Sequence, residues 1–142
     1  MSKSRVVILV AVAMVFLIGY GTSHTSEPPK ELKLVNLLQE SLADEFTPDR
    51  EVVVSYVEMP PNTTLEQHWH PGEEFVYCLE GEAEILIDGE SIMSTPGTVI
   101  HIPFKSMHTA ISGDKGAKAV VFRVHTKGEP VRYLEKGGES EK

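Results

Sequence analysis

His68, His70, Glu74 and His108 are the residues of this chain whose types and spacing point most directly to chemistry: three imidazoles and one carboxylate, the donor set of a metal site. His68-Trp69-His70 places two imidazoles two residues apart, which on a β-strand means one face. Pro71-Gly72 reads as a turn, and Glu74 stands at the head of the apolar run that follows. One hairpin could therefore aim two nitrogens and one oxygen at a single point. The fourth donor must come from elsewhere, and His108 follows a Pro-containing turn, Pro103-Phe104-Lys105-Ser106-Met107. Neutral imidazoles with a carboxylate suit one divalent ion per chain (Fe, Mn, Ni, Co or Zn) better than Cu(I). Around an octahedral ion four protein donors leave two positions for water, dioxygen or substrate. Around tetrahedral zinc they close the site and make it structural.

The elements that must position these donors read as strands. From Glu51 onward Val52, Val53, Val54, Tyr56 and Val57 are β-branched or aromatic, and further short strands are predicted at 64–69, 74–79, 83–87, 99–102, 108–111 and 118–125. Asp88-Gly89, Pro96-Gly97 and Ser112-Gly113-Asp114 supply turns. Many short strands with regular turn signals predict an all-β antiparallel barrel or sandwich. Residues 30–46 differ: Leu34, Leu37, Leu38, Leu42 and Phe46 recur at three- and four-residue spacing, which predicts a short N-terminal helical segment, by itself or mixed with strand.

Side-chain direction follows from alternation. Val120, Phe122 and Val124 are expected to point inward, with Val121, Arg123 and His125 outward, although an inward Arg123 would be a natural carboxylate clamp. Tyr56, Trp69, Phe75, Tyr77, Phe104, Met107 and Phe122 are candidates to line a pocket. Glu73 should point away from the metal as a solvated charge, and His101 reads as a wall or surface residue. Cys78 shares the strand face of Glu74 and Val76; it is a buried apolar filler or a neighbour of the metal. No nucleophile signature or phosphate loop is visible.

The same residues carry a family resemblance. Gln67 to Gly81, QHWHPGEEFVYCLEG, resembles the first cupin motif, in which H-x-H, three residues, E, six residues and G follow one another. Gly97 to His108, GTVIHIPFKSMH, resembles the second, G-x5-P-x-G-x2-H, and its spacing selects His108 over His101. Lys105 and Asn62 stand where the motifs usually carry glycine, and Ser112 where the second often ends in asparagine. The resemblance covers roughly residues 50 to 126 and implies a small jelly-roll barrel with an octahedral metal held by His68, His70, Glu74 and His108. It further implies a small-molecule dioxygenase, or a related isomerase or lyase, with a non-catalytic metal- or ligand-binding module as the alternative. A homodimer is implied by resemblance as well.

At 142 residues the chain predicts one domain, and 41% hydrophobic with 24% charged residues is ordinary for a globular protein. Thirteen basic against 21 acidic residues give a net charge of −8, with no basic stripe, which excludes nucleic acid as a partner. The N-terminus stands apart. Lys3 and Arg5 precede an uncharged apolar stretch, 6–18, and then Gly19-Tyr20-Gly21. As a helix those residues would span about 20 Å, short of a bilayer core of about 30 Å. Residues 1–21 thus read as a cleaved export signal, or alternatively an inner-membrane anchor, with 22–29 a linker, 30–134 the domain and 135–142 a flexible tail. The expected location is periplasmic or secreted, with membrane contact only if the signal is retained. Its removal would take the charge to −10 through loss of Lys3 and Arg5. With one cysteine, Cys78, no internal disulfide forms, so the core must hold the fold. Asn62-Thr63-Thr64 matches a glycosylation pattern that a bacterial-type signal renders accidental.

Overall fold

Runs of β-branched residues broken by turn dipeptides form nine strands and, among the described residues, no helix. The structure is a computed structural model that describes residues 27–43, 45, 47–135 and 140–141. The expected signal (1–21), residues 22–26 of the linker with His24, Phe46, and residues 136–139 and 142 of the tail lie outside the described residues. The strands are β1 (Lys33–Ser41), β2 (Arg50–Met59), β3 (His68–Trp69), β4 (Gly72–Ile87), β5 (Glu90–Ser94), β6 (Val99–Ile102), β7 (His108–Thr126), β8 (Arg132–Leu134) and β9 (Ser140–Glu141). Ser140–Glu141, inside the stretch expected as tail, pairs with β8.

Two long strands organise everything else. β4 and β7, 16 and 19 residues, pair antiparallel along their length, from Gly72↔His125 to Ile87↔His108. Their first association, Gly72 to Gly81 against Ala117 to His125, continues through β2 to β1 on one side and to β6 on the other. Their second, Ala83 to Ile87 against His108 to Ser112, continues through β3 to β8 and β9 and, on the far side, to β5. The result is one antiparallel sheet curled around a core, as the jelly-roll expectation requires.

The curl has a local cause. Register slips between Cys78 and Glu80 and between Gly81 and Ala83. Gly81 and Gly116 both have positive φ, 70° and 76°, and backbone crowds the space that a side chain would need at either. The slip reverses the alternation. Even-numbered residues of β4 face inward before the corner (Glu74, Val76, Cys78) and odd-numbered ones after it (Ala83, Ile85, Ile87). β7 does the same: His108 and Ser112 face inward first, then Ala117, Val121, Arg123 and His125.

That reversal corrects the reading of the last strand. Val121, Arg123 and His125 are buried and Phe122 is outward. Both faces of this stretch carry valines, so hydrophobicity does not choose between them; buried acids opposite Arg123 and His125 do. The expected helical segment at 30–46 is also corrected, because residues 33–41 are strand β1. A bulge between Asn36 and Leu38 drops Leu37 out of register with β2, and one extra residue converts two-residue spacing into the three- and four-residue intervals that resemble a helix. Pairing to β2 outweighs leucine's helical preference. Leu34, Leu37 and Leu38 remain about half exposed.

The core is aliphatic, with Val57, Met59, Ile85, Ile100, Ile102 and Val121 at its centre. Lys105 and Asn62, which replace motif glycines, adopt positive φ of 61° and 52°. The turns keep the glycine-type backbone despite losing the glycines, and Lys105 Nζ lies over the Trp69 and Phe104 rings.

Candidate metal centre

β3 and the start of β7 bring His68 and His108 directly opposite each other, and His70 follows two residues after His68. The three rings sit 4.3 to 5.1 Å apart, centroid to centroid, and all are buried. Each Nδ1 faces a backbone carbonyl: His68 toward Glu66 O at 2.7 Å, His108 toward Ser106 O at 2.9 Å, His70 toward Val131 O at 2.5 Å. A carbonyl can only accept, so each Nδ1 carries a ring hydrogen and Nε2 is the atom left to meet a ligand. Nε2 of His108 is buried with no hydrogen bond inside the protein, and Nε2 of His70 is buried against the Glu74 carboxylate. A buried polar atom without a partner costs about 1–3 kcal/mol. A cation offsets that cost, and backbone-locked Nδ1 atoms are how protein metal sites orient imidazoles.

Electrostatics agree. Burial pushes His68 down to about 3, helped by His108 and His70, and burial likewise lowers His108. Both rings are thus neutral, as ligands must be. The nitrogens offered by the three histidines lie within 4.8 Å of one another. With bonds of about 2.1 Å an ion reaches donors about 4.2 Å apart, so small ring rotations bring the set into range. The residues present fit a divalent metal.

Glu74 projects from β4 toward the same histidines. Its Oε2 lies 2.7 Å from His70 Nε2 and its Oε1 3.9 Å from His108 Nε2. Arg123, its cross-strand neighbour, donates Nε to Oε2 at 2.6 Å and reaches Ser55 Oγ at 3.3 Å through Nη1. Burial raises the carboxyl's pKa, but Arg123 and His70 outweigh it and hold Glu74 well below the usual carboxylate range. The clamp that an outward Arg123 could not provide is therefore present. Its signal in the sequence was Glu74 and Arg123 themselves, opposite charges that the β4–β7 register pairs.

The histidines and Arg123 line a cavity of about 270 Å³ whose other walls are mainly aliphatic, among them Val53, Met59, Val76, Ile85 and Ile102. None of Tyr56, Trp69, Phe75, Tyr77, Phe104, Met107 or Phe122 lines it, which corrects that expectation. Phe75 and Tyr77 alternate with the inward Glu74, Val76 and Cys78, and Trp69 stacks on Tyr133 at 4.3 Å. Glu73 does point away, 2.6 Å from the exposed His101. Cys78 is buried in the cavity wall, its Sγ 3.8 Å from the carbonyls of Glu80 and Gly81.

Comparison with known proteins agrees with the fold. The family model described as a cupin domain matches residues 55–125. A quercetin 2,3-dioxygenase of Bacillus subtilis is 30% identical over 73 residues, 51% of this chain and 22% of that protein. A polyketide synthase, CurC, of Streptomyces cyaneus is 36% identical over 64 residues, 44% of this chain and 42% of that protein. The match thus spans less than half the length of these curated relatives. Among solved structures, the DMSP lyase DddQ of Ruegeria pomeroyi is similar with a TM-score of 0.62 at 26% identity, covering 78% of this chain and 54% of that one.

Proposed function

This chain belongs to the cupin-domain family, and we propose that it is an exported mononuclear-metal enzyme acting on a small, largely apolar molecule, as a dioxygenase or a related lyase or isomerase. The observation that supports this most is the convergence of three backbone-locked histidines on the wall of an aliphatic cavity. His68, His70 and His108 would hold the ion through Nε2, and Glu74 through Oε1, since Arg123 occupies Oε2. When bound, a divalent ion supplies a Lewis-acid centre for an oxygen-bearing substrate. The chain's own residues do the rest. Aliphatic walls exclude water and receive the substrate's apolar body, and about 270 Å³ restricts it to a small molecule. Arg123, anchored on Ser55, keeps Glu74 ionised and aimed at the histidines. The three relatives named above have small-molecule conversions in their names, which favours a catalytic reading over storage of a metal.

The export part of the proposal rests on the charge, apolar length and small residues of 1–21; N-terminal sequencing of protein recovered outside the cytoplasm should begin near residue 22. For catalysis, the Fe(II)-loaded protein is screened for oxygen consumption and product formation against catechols, enols and small carboxylates. Turnover lost on chelation and not restored by Zn(II) supports the proposal. Stoichiometric ligand binding without turnover, with zinc as the resident ion, favours a binding module instead.

A further inference from the structure

His125 is the most deeply buried polar side chain described, fully enclosed, and no step above uses it. Its Nε2 lies 3.0 Å from Pro130 O, and its Nδ1 faces Glu51 Oε1 at 3.4 Å. Glu51 is itself buried and accepts from the Gly128 N–H at 3.4 Å. Two side chains from β7 and β2 therefore grip the turn that leads from β7 to β8 at both of its ends. The next carbonyl along, Val131 O, is the one that fixes His70 Nδ1. His70 differs here from its companions: His68 and His108 each use a carbonyl two residues earlier in their own chain segment, whereas His70 depends on one 61 residues away. On its other side Nε2 meets Glu74 Oε2 at 2.7 Å, so it is the Nδ1 side that depends on the distant carbonyl.

We infer that His125, with Glu51, is a positioning pair for the metal centre: by holding Pro130 it places the Val131 carbonyl that sets the tautomer and direction of His70. The backbone around the pair is fitted to the same end. Thr126 N and Oγ1 both donate to Pro71 O, which joins the turn to the segment carrying His70, and Gly72 leaves no room for a side chain against His125 Cα at 2.8 Å. This rests on the proposed metal site for its consequence, but its structural core, the state of the His70 ring, does not.

The test uses His125→Gln, which retains a donor near the Nε2 position, His125→Phe, which fills the space without one, and Glu51→Gln. In metal-free protein, long-range proton–nitrogen NMR should show His70 of the parent as a single Nδ1–H tautomer, mixed in His125→Phe and restored in His125→Gln. Co(II) titration should then give an affinity about tenfold weaker for His125→Phe, the lower end of what supporting residues contribute to metal affinity, with an altered visible spectrum, and near-parent values for His125→Gln. Glu51→Gln should fall between the two. If His125→Phe proves unfolded, the His70 tautomer in Glu51→Gln decides. An unchanged His70 tautomer in the folded variants overturns the inference even where Co(II) binds. A parent that keeps the tautomer but binds no Co(II) overturns the metal proposal and leaves the positioning role standing.

Discussion

Replacing Arg123 with methionine isolates the electrostatics of the site. Arg123 and Glu74 are both buried, and their contact at 2.6 Å is the carboxylate's strongest opposition to burial. Methionine fills most of the volume but leaves Glu74 as a buried charge without its guanidinium partner. Breaking a buried pair from one side costs about 3–5 kcal/mol. At about 3 °C per kcal/mol for a domain of this size, the metal-free variant should melt about 10–15 °C below the parent. Saturating divalent metal replaces the missing cation, so the deficit should shrink to less than half. Glu74→Gln in the same background removes the stranded charge and should also recover about 2 kcal/mol, which a double-mutant cycle reads directly. Calorimetry of parent, Arg123→Met, Glu74→Gln and the double variant, each with and without metal, supplies every term. A metal-free Arg123→Met within about 1 kcal/mol of the parent would mean that Glu74 does not need its cation.

Gly72→Ala should cost more than about 3 kcal/mol or abolish folding, since the added methyl collides with the Val124 carbonyl, a backbone group that cannot move aside; urea midpoints with soluble yield measure this. Acid should destabilise the metal-free protein: His68 stays neutral in the fold down to about 3, so below its ordinary value of 6.5 the unfolded chain binds the extra proton and stability falls with pH until about 3. His68→Gln should flatten that slope in urea titrations between pH 6.5 and 4, and an unchanged slope would assign it to other groups. With the buried histidines as the proposed ligands, a divalent ion should raise the parent's melting temperature increasingly with metal concentration, the added stability being about 2.7 kcal/mol at a hundredfold excess over Kd; a flat response would contradict the site.

Much of the site could be read from the sequence because its information is local. His68-Trp69-His70 lies on a short extended stretch, and Glu74 follows a Pro-Gly turn, so spacing carries geometry. His108 needed the spacing from Gly97 and Pro103. What escaped depends on pairing across the fold. The direction of Arg123 and His125 is set at the Gly81–Gly116 corner, where a slip in register reverses the alternation, and by Glu74 and Glu51, acids on other strands. The leucines of β1 looked helical because a bulge mimics helical spacing. The aromatics were assigned to the pocket by type, yet phase within each strand decides, and it turns Phe75, Tyr77 and Phe122 outward.

The central proposal is that His68, His70, Glu74 and His108 hold one divalent ion. Elemental analysis of the purified protein beside His68→Ala and Glu74→Ala tests it most directly. About one Fe, Mn, Ni or Zn per chain is expected in the parent, with a large loss in both variants. A folded parent that carries no metal, even after reconstitution, would contradict it.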